Sequence, residues 1–352
     1  MMTALPTVTV LTASYNDWPS LRALLPLLDS ALADRAAAVR VVVVDDGSSE
    51  PPPDDLMVGL DLRVIRSLEV LTLVRNLGNQ RALSVAVGWV AVHCGDDWVV
   101  VMDCDHEDRP EVIPDLLDAA REAGGRKIAF AARTQRHDGL MFKFLYGAYK
   151  RLYKLLTGMP IAIGNFSVVP GALMPRLAGV WEIGLHFPAG VMKARLPYTS
   201  IGAARGKRVL GRSSMNIVNL VVHGLSGLAV HAETVAVRVV LATLSLGAFA
   251  TLYLGQVLFE KLFTDIPLLG WTSQIAALVA GFLVQALLSG LLLLFLVLNA
   301  RTQRPFIPLR DHEAFILAVK RHSAGDARHL PPPEGQDKRT PHAAFPTTSR
   351  HE

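Results

Sequence analysis

The sequence predicts an α/β fold in which a mostly parallel sheet is followed by interfacial helices and two transmembrane helices. Three observations predict it. Short β-branched runs alternate with helical leucine spacing in the N-terminal third, a basic stretch almost free of acids follows, and two long apolar runs near the C-terminal end carry no Asp, Glu, Lys or Arg.

Thr7 to Ala13 and Val39 to Val44 are β-branched runs closed by polar turn residues, and Pro19 to Ala33 between them places leucines at helical spacing. This is a β-α-β unit. A third strand is expected at Val70 to Val74, a helix from about Gln80 to Cys94, and a fourth strand at Trp98 to Met102. Strands alternating with helices form a parallel sheet covered on both faces. Ligands of such sheets bind at the carboxyl ends of the strands. Two acidic clusters fall at those ends: Asp45-Asp46-Gly47-Ser48-Ser49 and Asp103-Cys104-Asp105.

Beyond the sheet, Met141 to Leu156 puts Phe144, Leu145, Tyr149, Leu152 and Leu156 on one helical face, with Lys143, Lys150, Arg151 and Lys154 toward another. Either this helix lies in a membrane interface or it packs on the sheet with a solvated basic face. Asn216 to Val230 is a second apolar stretch leading to the long runs. Val239 to Phe259 and Thr272 to Leu298 are each long enough to cross a hydrocarbon core of about 30 Å. Trp271 is an interfacial anchor for the second. The short link Glu260 to Gly270 makes them a hairpin, and Gly247, Gly255, Gly281 and Gly290 could pack it against copies of itself as a homo-oligomer.

Arg238, Arg301, Arg304 and Arg310 lie just outside the hairpin, which places both termini and the N-terminal domain on the cytoplasmic side of the inner membrane. Nothing before Val8 resembles a secretory signal. The two cysteines, Cys94 and Cys104, are too few for a disulfide framework. The expected division is 1–215 as the cytoplasmic catalytic domain, 216–237 as a juxtamembrane helical segment, 238–300 as the two-helix hairpin, and 301–352 as a cytoplasmic tail, largely disordered after about 322.

The net charge of +4 hides an asymmetry: residues 1–138 hold 21 acidic and 13 basic side chains, whereas 139–232 hold 11 Lys/Arg and one acid, Glu182. A one-sided run seeks a polyanion. Next to a membrane anchor the economical partner is anionic membrane lipid together with a phosphorylated lipid, and nucleic acid is not expected.

Two carboxylates one residue apart after a buried strand repel each other unless a cation lies between them. Asp103 and Asp105 therefore suit Mg²⁺ or Mn²⁺, whose other positions accept diphosphate oxygens. Asp45 and Asp46 have two readings: good turn chemistry, or one carboxylate for a base N–H with the other near ribose or metal. In Arg75-Asn76-Leu77-Gly78-Asn79-Gln80-Arg81, Gly78 allows close backbone approach and a helix N-terminus becomes available to an anion.

Thr12-Ala13-Ser14-Tyr15-Asn16-Asp17, Val44 to Ser49, Arg75 to Ala82 and Met102 to Glu111 resemble, in order and spacing, the family 2 glycosyltransferases. More narrowly they look like the polyprenyl-phosphate group, which includes dolichol-phosphate mannose synthase and bacterial undecaprenyl-phosphate sugar transferases. The resemblance runs from about Val8 to Leu298. It implies a nucleotide-binding sheet of the glycosyltransferase A type, with Tyr15, Asp17, Asp45, Asp46 and Arg81 at the nucleotide sugar, and Asp103, Asp105 and Glu107 at the metal. Arg133 and Arg136 stand where the family places acceptor-phosphate arginines, and Arg208 to Ser213 resembles its Arg-x-x-Gly-x-Ser loop, which implies Arg208, Arg212 and Ser213 at the same phosphate. Where the family commonly has Leu-Gln this chain has His106-Glu107, and Gly164-Asn165-Phe166-Ser167 stands in place of Gly-Asp-Phe-Arg.

The expected activity is inverting transfer of a sugar from a UDP- or GDP-linked donor to an undecaprenyl or dolichyl phosphate. An acceptor phosphate is already anionic, so attack needs no general base, and Glu182 is the only acid between Gly139 and Ala232. The alternatives are transfer to a hydroxyl of a glycolipid or polysaccharide, or a non-catalytic membrane-tethered binding protein.

Overall fold

The computed structural model describes residues 5–95, 97–133, 140–160, 163–204, 206, 217–263, 271–302 and 304–323. Strands β1 (Thr7–Ser14), β2 (Ala38–Asp45), β3 (Ile65–Leu73) and β4 (Trp98–Val101) alternate with helices α1 (Trp18–Leu32) and α2 (Asn79–His93). Helix α3 (Ile113–Glu122) leads to β5 (Ile128–Arg133), then α4 (Leu140–Thr157), β6 (Ile163–Val169), α5 (Met174–Ala178), α6 (Phe187–Lys193) and β7 (Tyr198–Ala203). The chain continues through α7 (Ile217–Val230), α8 (Ala232–Phe263), α9 (Trp271–Thr302), α10 (Pro308–Asp311) and β8 (Ile316–Ser323).

The strands form one sheet in the order β7-β5-β6-β4-β1-β2-β3-β8. The central pairs β4/β1, β1/β2 and β2/β3 are parallel, as is β5/β7, while β6 and β8 run antiparallel to their neighbours. The near-continuous valines of β2 follow from this position. Val41 and Val43 face the side covered by α1 and α3, whereas Val42 and Val44 face α2, so both faces are dry. Leu21, Leu24, Leu25, Leu28 and Leu32 of α1 are fully buried, and each contributes roughly 1.5–3 kcal/mol by leaving water.

One buried acid belongs to this core. Asp29 of α1 accepts the backbone N–H groups of Arg63, Val64 and Ile65 at 2.8–2.9 Å, which fixes the entry to β3. Burial pushes its carboxyl up, but the three backbone donors and the nearby Arg63 outweigh that and hold it below its ordinary value. A depressed carboxylate adds stability that is present above its unfolded value near 3.8 and is lost as pH falls through its folded value. Asp29→Asn is therefore expected to cost about 1–3 kcal/mol at pH 7, because one backbone donor loses its acceptor. Thermal unfolding should show the deficit at pH 7 and a smaller one only well below pH 3.8; an equal deficit at pH 7 and at such an acid pH would refute the assignment.

Helices α8 and α9 are long and apolar enough to cross a membrane, with mean hydropathy reaching 1.9 within α8 and 2.5 within Gln274–Asn299, and almost none of these apolar stretches is buried. They pack on each other, with Gly247 against Leu283. At the head of α8, Arg238 donates to the Leu155 carbonyl at the end of α4 (2.6 Å). Tyr149 and Tyr153 of α4 turn inward and donate to the Gly224 and Gly227 carbonyls of α7 (2.9 and 3.5 Å). Thus α4 packs on α7 and α8 through its aromatic face, while Leu152, Leu155, Val221, Val222 and Leu225 remain exposed beside the membrane-length helices.

The residues after the hairpin rejoin the sheet, although the sequence suggested a tail apart from it. Phe306 packs edge-on against Phe315 with centroids 5.1 Å apart, α10 lies on α2, and β8 pairs with β3 as the edge strand. The closest approach is at Gly88, where any Cβ would overlap the Pro308 carbonyl. The tail expected to be disordered after about 322 lies outside the described residues from 324 onward.

Candidate functional site

The chain runs outward from β1 through β2 to β3, then returns by α2 to β4 on the other side of β1. This reversal opens a crevice at the carboxyl ends of β1 and β4, the usual ligand position in open α/β sheets. Asp45 and Asp46 after β2 and Asp103 and Asp105 after β4 stand at this same end of the parallel strands.

Asp45 and Asp46 are buried at the end of β2. Asp46 accepts the N–H groups of Leu77 (2.6 Å) and Gly78 (2.9 Å), one with each oxygen, and so clamps the loop that opens α2. Burial pushes its carboxyl up, the two backbone donors pull it down, and the neighbouring Asp45 charge raises it again, with the net shift upward. Asp45 Oδ1 accepts the Ser48 N–H (2.9 Å), and Oδ2 has no bond among the described residues. The turn between them cannot take a side chain at Gly47: φ is +71° and a Cβ would stand 2.7 Å from the Asn76 nitrogen.

Tyr15 is exposed above the crevice, Asp17 sits at the N-cap of α1, and Arg81 is exposed in the first turn of α2. Asn16, with φ +52°, ties the β1 loop to the β2 loop: its N–H donates to Ser48 Oγ (2.8 Å) and its Oδ1 accepts from the Ser49 N–H (2.9 Å).

Asp103 and Asp105 are half-buried beyond β4. Asp103 Oδ1 accepts from Asn79 Nδ2 (3.4 Å), its N–H donates to the buried Asp108 Oδ2 (3.0 Å), and Asp105 Oδ1 accepts the Glu107 N–H (3.1 Å). His106, the residue that departs from the family pattern, is buried with φ +67°, and its Nε2 bonds to the Ser20 carbonyl of α1 (3.0 Å). It anchors the acidic loop. Glu107 lines a small cavity of about 20 Å³ with Asp108, Ala131, Gly164, Phe166 and Ala203. Among the described residues no three His, Cys, Asp or Glu side chains are gathered for one metal ion. The oxygen donors of Asp103 and Asp105 fit a hard divalent cation that takes its remaining ligands from a diphosphate.

Arg133 ends β5 in register with Ala203 of β7. Arg136, Arg208, Arg212 and Ser213 lie outside the described residues. Asn79 and Gln80, whose amides reach Asp103 and Asn165, carried no distinct signal in the sequence beyond their place at a helix start.

The family comparison matches the part of the chain that builds this sheet end, from β1 to the end of β6. Residues 9–170 match the model of the glycosyl transferase family 2. The transferase is 25% identical over 255 residues to the uncharacterized glycosyltransferase YkcC of Bacillus subtilis (strain 168), covering 71% of this chain and 74% of that one. Among solved structures it is similar to glucosyl-3-phosphoglycerate synthase from Mycobacterium tuberculosis in complex with Mn²⁺, UDP-glucose and phosphoglyceric acid, with TM-score 0.45, 16% identity, and 65% and 80% of the two chains covered. Mannosyl-3-phosphoglycerate synthase from Rubrobacter xylanophilus gives TM-score 0.41 and 16% identity over 65% and 73%. The sheet of the transferase is of the glycosyltransferase A type, with two C-terminal helices of membrane-spanning length.

Proposed function

We propose that the transferase moves a sugar from a nucleotide-diphosphate donor to a polyprenyl phosphate, with inversion, at the cytoplasmic face of a membrane. The observation that carries this reading is the continuity of the acid-poor basic segment with the membrane-length hairpin. Lys150, Arg151 and Lys154 of α4 are exposed beside the apolar Leu152 and Leu155, and α4 is joined to the head of α8 through Arg238. Such a surface favours an anionic lipid headgroup with a long apolar chain over a soluble sugar hydroxyl.

Both ends of the hairpin belong on the side of the sheet, since α8 begins against α4 and the chain after α9 returns to β3. The arginines outside the hairpin assign that side to the cytoplasm. The proposed division is a catalytic domain over 1–215 completed by the returning strand, a juxtamembrane segment over 216–237, and the hairpin over 238–300.

In this reading Tyr15, Asp17 and Asp45 meet the nucleoside, with Asn16 holding their loops together. The N-terminus of α2, clamped by Asp46 and carrying Arg81, receives the diphosphate. Asp103 and Asp105 would hold Mg²⁺ or Mn²⁺, which when bound supplies neutralisation of the departing diphosphate. Arg133, Arg136, Arg208, Arg212 and Ser213 steer the acceptor phosphate, since guanidinium forks match its oxygens. An anionic acceptor oxygen attacks the anomeric carbon without a base, so positioning accounts for most of the rate.

Membranes containing the transferase, supplied with undecaprenyl phosphate and a panel of labelled UDP- and GDP-sugars, are expected to move one label into a lipid fraction that mild acid releases. An acid-stable product would instead assign a hydroxyl acceptor. No label from any donor would sink the catalytic reading.

A further inference from the structure

A chain of hydrogen bonds fixes the orientation of one amide at the sheet end. The N–H of Phe187, at the start of α6, can only donate, so Gln80 meets it with Oε1 (2.7 Å). The Nε2 of Gln80 can then only donate, and Asn165 meets it with Oδ1 (3.3 Å). The NH₂ of Asn165 is thereby turned away from Gln80, and it takes no bond among the described residues. Asn165 also has its backbone held, because its carbonyl accepts from Ser167 Oγ (2.9 Å).

The location of that NH₂ follows from the sheet. In the antiparallel pair of β4 and β6, Val101 stands opposite Ser167, so the same register continued sets Asp103 opposite Asn165. The first two residues of α2 make the same connection, Asn79 bonding to Asp103 and Gln80 to Asn165. Two N–H donors are therefore presented beside the acidic pair and the helix N-terminus, where phosphoryl oxygens would lie. A carboxylate at position 165 would present only lone pairs there and would repel an anion.

We propose that the NH₂ of Asn165 donates to an anionic phosphoryl oxygen of a substrate, and that Gln80 is the positioning residue that turns it there. The proposal rests on the transferase reading above for the nature of the ligand. The oxygen can belong to the donor diphosphate or to the acceptor phosphate. Gln80→Glu keeps the acceptor for Phe187 N–H but cannot donate, so Asn165 rotates its NH₂ toward the new carboxylate and turns its carbonyl to the ligand. Asn165→Asp keeps the bond from Gln80 and places a carboxylate oxygen at the ligand. A merely structural bridge would survive this second change.

The test uses the full chain in lipid-supplemented detergent and measures affinity for UDP with Mn²⁺, affinity for undecaprenyl phosphate, and the thermal midpoint. Both variants are expected to bind one probe about tenfold or more weakly, with the midpoint close to that of the unaltered chain. Weakened UDP binding assigns the oxygen to the donor, and weakened undecaprenyl phosphate binding assigns it to the acceptor. An unaltered chain that binds UDP but no undecaprenyl phosphate would remove the proposed acceptor and leave the UDP arm to decide this inference. Unchanged affinities in both variants would overturn it, as would a loss confined to Gln80→Glu with a lowered midpoint.

Discussion

Asp105→Asn is expected to reduce sugar transfer by about 10²-fold or more at saturating Mn²⁺, the scale for removing one preorganised charge from a transition state. The substitution removes the charge and keeps the shape of the side chain. Its side-chain carbonyl can still accept the Glu107 N–H that Asp105 Oδ1 accepts now, so the loop beyond β4 keeps its shape. Removing one of several neighbouring acids relieves repulsion, so the thermal midpoint in the absence of ligands should hold or rise. The stabilisation that Mn²⁺ and UDP give together should shrink, because binding to the folded state is what raises the midpoint. Transfer of labelled sugar and the ligand-induced midpoint shift measure both parts. Activity equal to that of the unaltered chain at saturating metal would remove Asp105 from the proposed machinery.

The second large effect is expected far from the acids. Gly88→Val should destabilise the protein by about 1–3 kcal/mol or more, the usual cost of forcing extra carbons into packed structure. Position 88 is where α2 meets the Pro308 carbonyl and the His312 side chain, with backbone on the opposing side that has no rotamer to yield. Unseating α10 would also loosen β8 from β3, since the Phe315 carbonyl that accepts the Val74 N–H (3.0 Å) lies between them. Val74 immediately precedes the loop that Asp46 clamps, so UDP affinity should fall together with stability. Limited proteolysis should cut the variant between α9 and β8 faster than the unaltered chain. Equal cleavage and an unchanged midpoint would show that the strap is not held at Gly88.

The central half of the sheet was legible because its signals are local. β1, β2, β4, α1 and α2 appear within a few residues of where periodicity placed them, and the two apolar runs appear as α8 and α9. The remaining strands were hidden for different reasons. β6 enters antiparallel between β4 and β5, so neither the alternation of strand and helix nor a parallel register announces it. β8 reads Ile-Leu-Ala-Val-Lys-Arg-His-Ser, largely exposed as an edge strand is, and its alternation is too weak to separate from a polar tail. Its pairing depends on β3, which lies far back in the chain. Of the candidate site, the acidic pairs were visible as residue types at strand ends. That Asp46 spends both oxygens on backbone N–H groups was not, because those donors come from a loop some thirty residues later.

The sequence by itself determined the order of charges, the acid pair after a buried strand, the glycines of the Asp-Asp-Gly-Ser turn and the α2 start, and two spans that water will not solvate. These depend on covalent neighbours and on side-chain solvation, which any conformation shares. Only the tertiary structure decided that His106 pins the acidic loop to α1, that Glu107 lines a small cavity with Asp108 and Phe166, and that the chain returns after the hairpin to finish the sheet. It likewise decided which way the Asn165 amide points. Those outcomes turn on which buried donors and acceptors still need partners once the sheet has closed, and that account exists only in the folded chain.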